Sequence, residues 1–319
     1  MVQTPASAED VARAYEDNKL AQVLYHDWEA QTYDEKWSIS FDERCQSVVR
    51  DRFMRVVKGR LQPGEQLPYG TALELGAGTG FFSLNLKLAG ILDDVHVTDL
   101  SPGMVEAAKK NAERLGFTVE GRVADAESLP YDDDSFDVVV GHAVIHHIPD
   151  VERTLREVVR VLKPGGRFVI AGEPTTIGHR YARAISRATW ETATRVAALP
   201  PLREKWARPK AELDESSRAA ALEAVVDLHT FDPGELAETA RRAGAVEVGT
   251  ATEELTSAFF GWPVRTIEYA VKDDALGFGW AMFAYRGWQR LMRVDDVLSR
   301  VVPQRFYYNV GVTGVKPRP

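Results

Sequence analysis

The feature that most constrains the fold of this chain is an apolar run that leads directly into three closely spaced glycines. Residues 72–80 read Ala-Leu-Glu-Leu-Gly-Ala-Gly-Thr-Gly, and a segment with helical patterning follows them. Glycine is needed where the backbone turns through positive φ, or where a ligand approaches without a Cβ in the way. The order strand, glycine loop, helix therefore predicts a loop that cradles a ligand.

From this loop onward, short β-rich runs alternate with longer helical patterns. The predicted strands are residues 71–76, 95–99, 118–123, 136–141, 166–172, 245–260 and 305–315, and the predicted helices lie near 80–89, 103–115 and 151–162. Strands and helices in this alternation require crossover connections and a parallel sheet. We therefore predict an α/β fold with a doubly wound, seven-stranded sheet.

The sequence predicts that the chain is divided into four parts. Residues 1–60 are predicted to be a helical N-terminal lead-in or lid, and residues 61–176 the cofactor-binding core. Residues 177–228 have helical composition broken by prolines, which predicts a helical insertion that caps the acceptor site. Residues 229–319 are predicted to complete the core, and within them 262–302 form an aromatic insertion.

Composition narrows the class of protein. With 319 residues, 45% of them apolar, the chain can bury a sizeable core. The net charge of −8 opposes indiscriminate binding to nucleic acid, and Cys45, the single cysteine, allows no intrachain disulfide. The sequence has no signal-peptide pattern and no apolar run of membrane-spanning length, so we expect a cytoplasmic protein.

The spacing of acidic residues indicates which ligand the glycine loop holds. A dinucleotide-binding loop would place its third glycine at Phe81, whereas this loop is Gly-x-Gly-x-Gly with Glu74 just before it. A carboxylate there suits a ligand with a cationic group better than a pyrophosphate. Asp99 ends the second strand, where an acid binds ribose hydroxyls. Asp125 ends the third strand, where it would accept from an adenine amine or be a solvated turn residue.

Taken together, these motifs resemble those of the class I S-adenosylmethionine-dependent methyltransferases. The residues that carry the resemblance are Glu74–Gly80, Asp99, Asp125–Pro130, Phe136–Val139, His146–Asp150 and Leu162–Gly166, in the order and spacing of that family. The small-molecule branch that includes the ubiquinone and menaquinone methyltransferases is the most similar. The resemblance implies S-adenosylmethionine as cofactor and a sheet whose last two strands form a reversed hairpin.

The resemblance also implies which residues bind the cofactor. The glycines would line its methionine part, Asp99 its ribose, and Met104, Asp125 and Ala126 its adenine. The full predicted set is Glu74, Gly76, Ala77, Gly78, Gly80, Asp99, Leu100, Met104, Asp125, Ala126, Glu127 and His142. Met104 could equally be a buried apolar residue at the start of a helix.

Catalytic residues are expected at the carboxyl ends of strands four and five, where ligands bind in such sheets. His146, His147 and Glu173 qualify by position, and a general base is needed only if the acceptor is a hydroxyl or an acidic carbon. The alternatives are a structural role for His147 and a helix-capping role for Glu173. No metal site is predicted, because side chains of adjacent histidines diverge on a strand or helix.

The two insertions are expected to select the acceptor. Residues 177–210 carry eight basic and two acidic residues, a balance of +6, and nine aromatic residues lie between 259 and 288. A solvated helix face and core packing are the alternative explanations. We favour a small or amphiphilic, lipid-like acceptor methylated at oxygen or carbon, with peripheral lipid contact and no nucleic acid. The alternatives are an RNA or protein methyltransferase and a non-catalytic cofactor-binding protein.

Overall fold

The structure, a computed structural model, describes residues 17–30, 33–36, 39–57, 60–61, 64–209, 226–272 and 275–319. Residues 1–16 of the predicted lead-in, Trp37 of its aromatic cluster and Lys210 of the basic segment lie outside this description. The side chain of Trp28 lies outside it as well.

The described chain contains one sheet of seven strands. Its strands are β1 Tyr69–Leu75, β2 Leu92–Asp99, β3 Glu120–Val123, β4 Phe136–His142, β5 Leu162–Pro174, β6 Val246–Glu253 and β7 Asn309–Val315. They lie in the order β3-β2-β1-β4-β5-β7-β6, and β7 is antiparallel to both of its neighbours while the others are parallel. The predicted doubly wound sheet with a reversed final hairpin is confirmed.

Helices cover both faces of this sheet and extend beyond its edge. They are α1 Asn18–Glu29, α2 Tyr33–Lys36, α3 Glu43–Val57, α4 Phe81–Leu88, α5 Pro102–Arg114, α6 Val151–Val161, α7 Thr176–Ala197, α8 Pro200–Trp206, α9 Pro233–Arg242, α10 Thr256–Ala270 and α11 Phe278–Leu298. Short turns of 3-10 helix cover Ile145–His147 and Gln304–Phe306. Helix α9 begins with Asp232 as its N-cap and Pro233 at its first position, as the sequence predicts.

The core has two layers, one on each face of the sheet. On one face α3, α4 and α5 bury Phe53, Phe82 and Ala108 against β1, β2 and β4. On the other face α6 and α9 bury Leu155 and Leu236 against β4, β5 and β7. Because both faces are covered at the centre of the sheet, β4 and β5 contain the buried apolar runs Val138–Val140 and Phe168–Ala171, as parallel strands in doubly wound folds do.

The prediction of a long sixth strand was wrong at its end. Strand β6 stops at Glu253, and residues 256–260, predicted as strand, begin helix α10. Glu254 has a φ of +66°, which breaks the extended run. The buried Asp295 carboxylate then accepts hydrogen bonds from the amides of residues 255–257, so a helix starts there. Residues 305 and 306, predicted to open the last strand, instead lie in the 3-10 turn Gln304–Phe306.

The two insertions form a helical layer beside the sheet. Helix α10 packs against α7 on one side and against α11 on the other, and α8 follows α7. This layer joins the C-terminal edge of the sheet through Tyr181, whose ring stacks on Phe259 at 4.5 Å and whose hydroxyl donates to the Glu254 carbonyl. No helix among the described residues is both long and apolar enough to cross a membrane.

Candidate cofactor and acceptor site

The glycine loop lies between β1 and α4 at the C-terminal edge of the sheet. Gly78 has a φ of +53°, and its amide donates to Asp99 Oδ2 at 2.9 Å. A Cβ built on Gly78 would meet only the Tyr33 ring, at 3.9 Å, so the backbone there is open to a ligand. At Gly76 the reason for glycine is different, because a Cβ would lie 2.2 Å from Val144 Cγ2.

Asp99 ends β2 directly beside this loop. Its other oxygen, Oδ1, accepts from the Ser101 amide at 2.9 Å, and burial raises the pKa of the carboxyl to about 6. A carboxylate has about four acceptor positions, so two amides leave room for two ribose hydroxyls. The buried Thr79 hydroxyl has no hydrogen-bond partner among the described residues. Buried polar groups are normally paired, so this loop has capacity for a polar ligand.

Glu74 occupies a different position from the one expected for a contact with a cationic ligand. Its carboxyl is buried and accepts from the amide and the hydroxyl of Ser83, in the first turn of α4. Gly80, the N-cap of that helix, has no side chain, so Glu74 serves as the cap. Burial raises the pKa of Glu74 to about 8, so the neutral form dominates near pH 7.

Asp125 and Glu127 follow β3 and hold a cation from the N-terminal segment. The Lys19 ammonium lies 2.5 Å from Asp125 Oδ2 and 2.5 Å from Glu127 Oε2. The second Asp125 oxygen accepts from the Glu127 amide at 2.9 Å. Helix α1 therefore lies across the predicted adenine end of the site, with Lys19 on the acid that would bind the adenine.

The other predicted cofactor residues lie around the same loop. Met104 is buried in the first turn of α5, a position consistent with either interpretation of it. Ala77 is buried, whereas Leu100 and Ala126 are half-buried at the ends of β2 and β3. Asp27 on α1 accepts from the Gly103 amide at 2.9 Å, so α1 also contacts the turn that starts α5.

His142 ends β4 and lies against Arg52 of α3. Arg52 Nη1 is 2.5 Å from His142 Nε2, and a guanidinium can only donate, so Nε2 accepts and Nδ1 carries the proton. Burial, with the Arg52 charge, lowers the pKa of His142 well below its usual value. Arg52 also pairs with Glu253 and Glu254 at the end of β6. His142 is therefore a neutral imidazole whose basic nitrogen is already bound.

Glu173 is the centre of a buried turn. Its carboxylate accepts from the amides of Val144, Ile145 and His146 at 2.8–3.2 Å, and it lies 2.7 Å from His146 Nδ1. Four hydrogen bonds fill the acceptor positions of this carboxylate. Glu173 thus caps the 3-10 turn and orients the His146 ring with Nδ1 protonated, which corresponds to the capping alternative of the sequence analysis.

The expectation that the adjacent histidines diverge was wrong. In the 3-10 turn the rings of His146 and His147 lie 3.8 Å apart between centroids, and both face Asp227. Ligating atoms of these three residues lie within 4.8 Å of one another. His147 Nδ1 lies 3.1 Å from the Val226 carbonyl, which can only accept, so this nitrogen is protonated. Burial lowers the pKa of His147 well below its usual value.

The predicted cap, helix α7, carries basic residues near the histidine pair. Arg180, Arg183 and Arg187 are exposed on one side of α7. Burial raises the pKa of Asp227, and the charges of His146 and Arg183 oppose that rise, which places Arg183 near the histidine pair. The glycine loop and the His146 turn thus approach each other at the C-terminal edge of the sheet, where a Cβ on Gly76 would lie 2.2 Å from Val144 Cγ2. We call the space beside them the cleft, and Arg180, Arg183 and Arg187 its cationic margin.

These features define a class of protein. A parallel sheet with a reversed seventh strand, a glycine loop after β1 and a half-buried acid at the end of β2 are the arrangement predicted for a nucleoside-binding site of the methyltransferase type. S-adenosylmethionine fits the residues present: Gly78 is open, Thr79 has an unpaired hydroxyl, and Asp99 retains acceptor capacity.

Comparisons with known proteins give the family. Residues 73–170 match the family model described as a methyltransferase domain. A demethylmenaquinone methyltransferase of Oceanobacillus iheyensis is 35% identical over 154 residues, which is 47% of this chain and 61% of that protein. A 2-methyl-6-phytyl-1,4-hydroquinone methyltransferase of rice is 37% identical over 114 residues, 35% of this chain and 34% of that protein.

Solved structures agree on the fold. A phosphoethanolamine N-methyltransferase of Haemonchus contortus has a TM-score of 0.55 and 17% identity, and the match covers 95% of this chain and 60% of that one. Each of these three matches spans less than two thirds of the other protein's length. Residues 73–170 thus match a methyltransferase domain, as the class I, S-adenosylmethionine-dependent motifs predict. The family and the cofactor predicted from the motifs are thereby confirmed.

Three residues of the site were missed in the sequence analysis. Arg52, Asp227 and Lys19 reach the site from segments without any recognisable motif. Arg52 bonds to a residue 202 positions away, and Lys19 to residues 106 and 108 positions away. Sequence periodicity and short motifs describe only residues that are close in the chain. They therefore could not predict contacts between residues more than 100 positions apart.

Proposed function

We propose that this protein transfers the methyl group of S-adenosylmethionine to a small or amphiphilic organic acceptor, at oxygen or carbon. The observation that carries the proposal is the approach of the glycine loop to the turn that holds His146, where Gly76 faces Val144 and Glu173 orients the His146 imidazole. The cofactor supplies a methyl group on a positively charged sulfur. The names of the related quinone and hydroquinone methyltransferases support an acceptor with a ring hydroxyl and an apolar tail.

In this proposal the chain has three tasks. The glycine loop and Asp99 fix the cofactor, and alignment of the acceptor atom with the methyl carbon contributes about 7–11 kcal/mol to such displacements. The helical layer over the cleft excludes water. His146 accepts the proton of the acceptor hydroxyl at Nε2 while Glu173 holds its Nδ1–H. Asp227, with Oδ1 3.7 Å from that Nε2, stabilises the imidazolium that forms.

The first experiment uses methyl-labelled S-adenosylmethionine with a cell extract that is then separated into lipid, polar metabolite, RNA and protein fractions. Label in the lipid or polar fraction, above that of a Gly78→Arg control, supports the proposal. Label in the RNA or protein fraction favours a macromolecular acceptor instead. If S-adenosylhomocysteine binds and a panel of prenylated hydroquinones also remains unlabelled, the non-catalytic alternative replaces the proposal.

The role of His146 is tested with His146→Ala. Loss of a general base costs about 10²–10⁴-fold in turnover, and the affinity for S-adenosylhomocysteine should stay unchanged. His147→Ala, at the neighbouring ring, is the matched control and should retain a larger part of the rate. Equal turnover in wild type and His146→Ala would show that the acceptor needs no base from this residue.

The cationic margin is tested by reversing the charge of Arg180, Arg183 and Arg187 together. If this side of α7 attracts an anionic acceptor, the KM for that acceptor rises while cofactor affinity stays constant. An unchanged KM would assign these arginines to a solvated helix face.

A further inference from the structure

Helix α11 lies at the outside of the molecule with most of its surface uncovered. Of its 21 residues, Asp295 alone is buried. The helix packs on α10, and the inner side is marked by Gly287, where a Cβ would lie 2.5 Å from the Phe260 ring. The side of α11 that is turned away from Asp295 is exposed in the described part of the chain.

This outer side combines arginines with large apolar residues. Its members are Phe283, Arg286, Arg290, Arg293, Val294 and Val297, and we call them the α11 face. Phe283 lies at the border of this face, because its ring also contacts Phe260 of α10, with 5.4 Å between ring centroids. At 3.6 residues per turn these positions fall within an arc of about 120°. Phe283 is 54% exposed and Val297 62%, and the exposed Phe278 (81%) and Val301 (77%) extend the apolar surface at the two ends.

The arginines of the α11 face have no ion-pair partner in the described part of the chain. The neighbouring exposed acid, Asp296, is paired with Arg55 of α3 at 2.5 Å. Buried Asp295 is likewise occupied by the amides that start α10. The face is therefore cationic and apolar at once, on a protein whose net charge is −8.

The positive charge of the α11 face and its apolar side chains together indicate which kind of partner it binds. Arginines pair with phosphate oxygens, and phenylalanine and valine between them would enter the boundary between headgroups and acyl chains. A symmetric pair with a second copy would set arginines against arginines. RNA would satisfy the charges but leave the apolar side chains in water. The acidic remainder of the protein would be repelled by an anionic surface, so only this face would turn toward it.

We propose that the α11 face docks the protein on anionic phospholipid bilayers as a peripheral membrane contact. Helix α10 links this face to the Tyr181 edge of the cleft, so docking would hold the cleft near a bilayer that contains amphiphilic acceptors. That consequence rests on the proposed function, whereas lipid binding itself does not.

The test is co-sedimentation of the full chain with vesicles of phosphatidylcholine alone or mixed with phosphatidylglycerol. We expect binding to the mixed vesicles, weakened by salt, and none to the neutral ones. Arg286→Gln, Arg290→Gln and Arg293→Gln together should weaken binding about 100-fold, about fivefold for each arginine, since each basic residue near such a surface contributes about 1 kcal/mol. The matched control, Arg180→Gln with Arg183→Gln and Arg187→Gln on α7, should change it only a few-fold.

A second measurement tests whether the apolar residues of the α11 face enter the bilayer. Brominated acyl chains in the mixed vesicles should quench the tryptophan fluorescence of Phe283→Trp more than that of the wild type. Phe283→Ser should weaken binding to the same vesicles. Retained S-adenosylhomocysteine affinity shows that each variant is folded, independently of turnover. Absent vesicle binding, equal binding by the two arginine triples, binding to RNA alone, or a dimer that covers the face would each overturn the proposal.

Discussion

Asp99 is a half-buried residue whose two carboxyl oxygens accept hydrogen bonds from the amides of Gly78 and Ser101. Burial raises its pKa to about 6, so its charge changes within two pH units of neutrality. Below that pH the carboxyl is protonated and has fewer acceptor positions for ribose hydroxyls. Above it, the carboxylate can accept both.

This titration predicts that S-adenosylhomocysteine affinity falls as the pH is lowered from 7.5 through about 6. Loss of hydrogen bonds to a charged group corresponds to about 1.5–3 kcal/mol of binding free energy. Calorimetric titrations at several pH values check this, with Asp99→Asn expected to bind weakly at every pH. Asp94→Asn, at an exposed position on the same strand, should follow the wild type. A flat wild-type profile would remove Asp99 from the cofactor site.

Lys19 leads to a second prediction at the residue scale. Its ammonium lies 2.5 Å from Asp125 Oδ2 and would compete with an adenine amine for that oxygen, while the other Asp125 oxygen accepts from the Glu127 amide. Lys19→Met should therefore strengthen cofactor binding, by up to about 1 kcal/mol, the usual range for a partly exposed ion pair. Tighter binding by Lys19→Met, measured by calorimetry, would agree with this competition. Weaker binding would show instead that Lys19 helps to close the occupied site.

At the scale of elements, Asp295 joins the two helices of the aromatic insertion. Its carboxylate accepts from the amides of residues 255–257 and from the hydroxyls of Thr256 and Ser257, all in or before the first turn of α10. The N-cap residue of α10, Leu255, cannot cap with its own side chain. A residue of α11 therefore supplies the cap of α10.

Asp295→Ala should lower the free energy of unfolding by about 2 kcal/mol, because it leaves the start of α10 without acceptors. Asp296→Ala is the adjacent control, and loss of its exposed pair with Arg55 should cost about 0–1 kcal/mol. Urea denaturation of both variants measures the difference. Equal losses would mean that water replaces the Asp295 carboxylate without cost.

At the scale of the whole molecule, the N-terminal helix α1 connects the core to the cofactor site. Lys19 contacts the turn after β3, Asp27 contacts the start of α5, and Gln22 donates to the carbonyls of His147 and Val226. These contacts touch both the predicted adenine end and the acceptor turn. We therefore propose that helix α1 covers the cleft, and the lid predicted for residues 1–60 stays a prediction.

This arrangement predicts that S-adenosylhomocysteine slows amide hydrogen exchange in residues 18–29. Binding to the folded state alone stabilises it by about 2.7 kcal/mol at one hundred times the Kd, and elements that contact the ligand share that protection. Helix α9, which packs on the opposite face of the sheet from α3 and α4, is the internal control. Protection confined to the glycine loop, with unchanged exchange in α1, would contradict a role for α1 as a cover.

The sequence by itself determined the sheet, the glycine loop and Asp99. Each follows from local patterns: alternating apolar strands and helices, glycines where φ is positive, and an acid at a strand end. Because residues close together in the sequence produce these patterns, they can be predicted from the sequence alone. The cap of α9 at Asp232 was predicted for the same reason.

The tertiary structure alone decided what the polar side chains do. Glu173 caps a turn and Glu74 caps α4, because burial leaves each carboxylate only the nearest amides and hydroxyls as partners. Arg52 contacts His142, which is 90 positions away in the sequence. Asp227 lies near His147 only because the folded chain places residue 227 beside the turn that follows β4. Hydrogen bonds depend on distance in space, which local composition does not encode. The sequence therefore specified the fold and the glycine loop, and only folding assembled the contacts around His146 and His142.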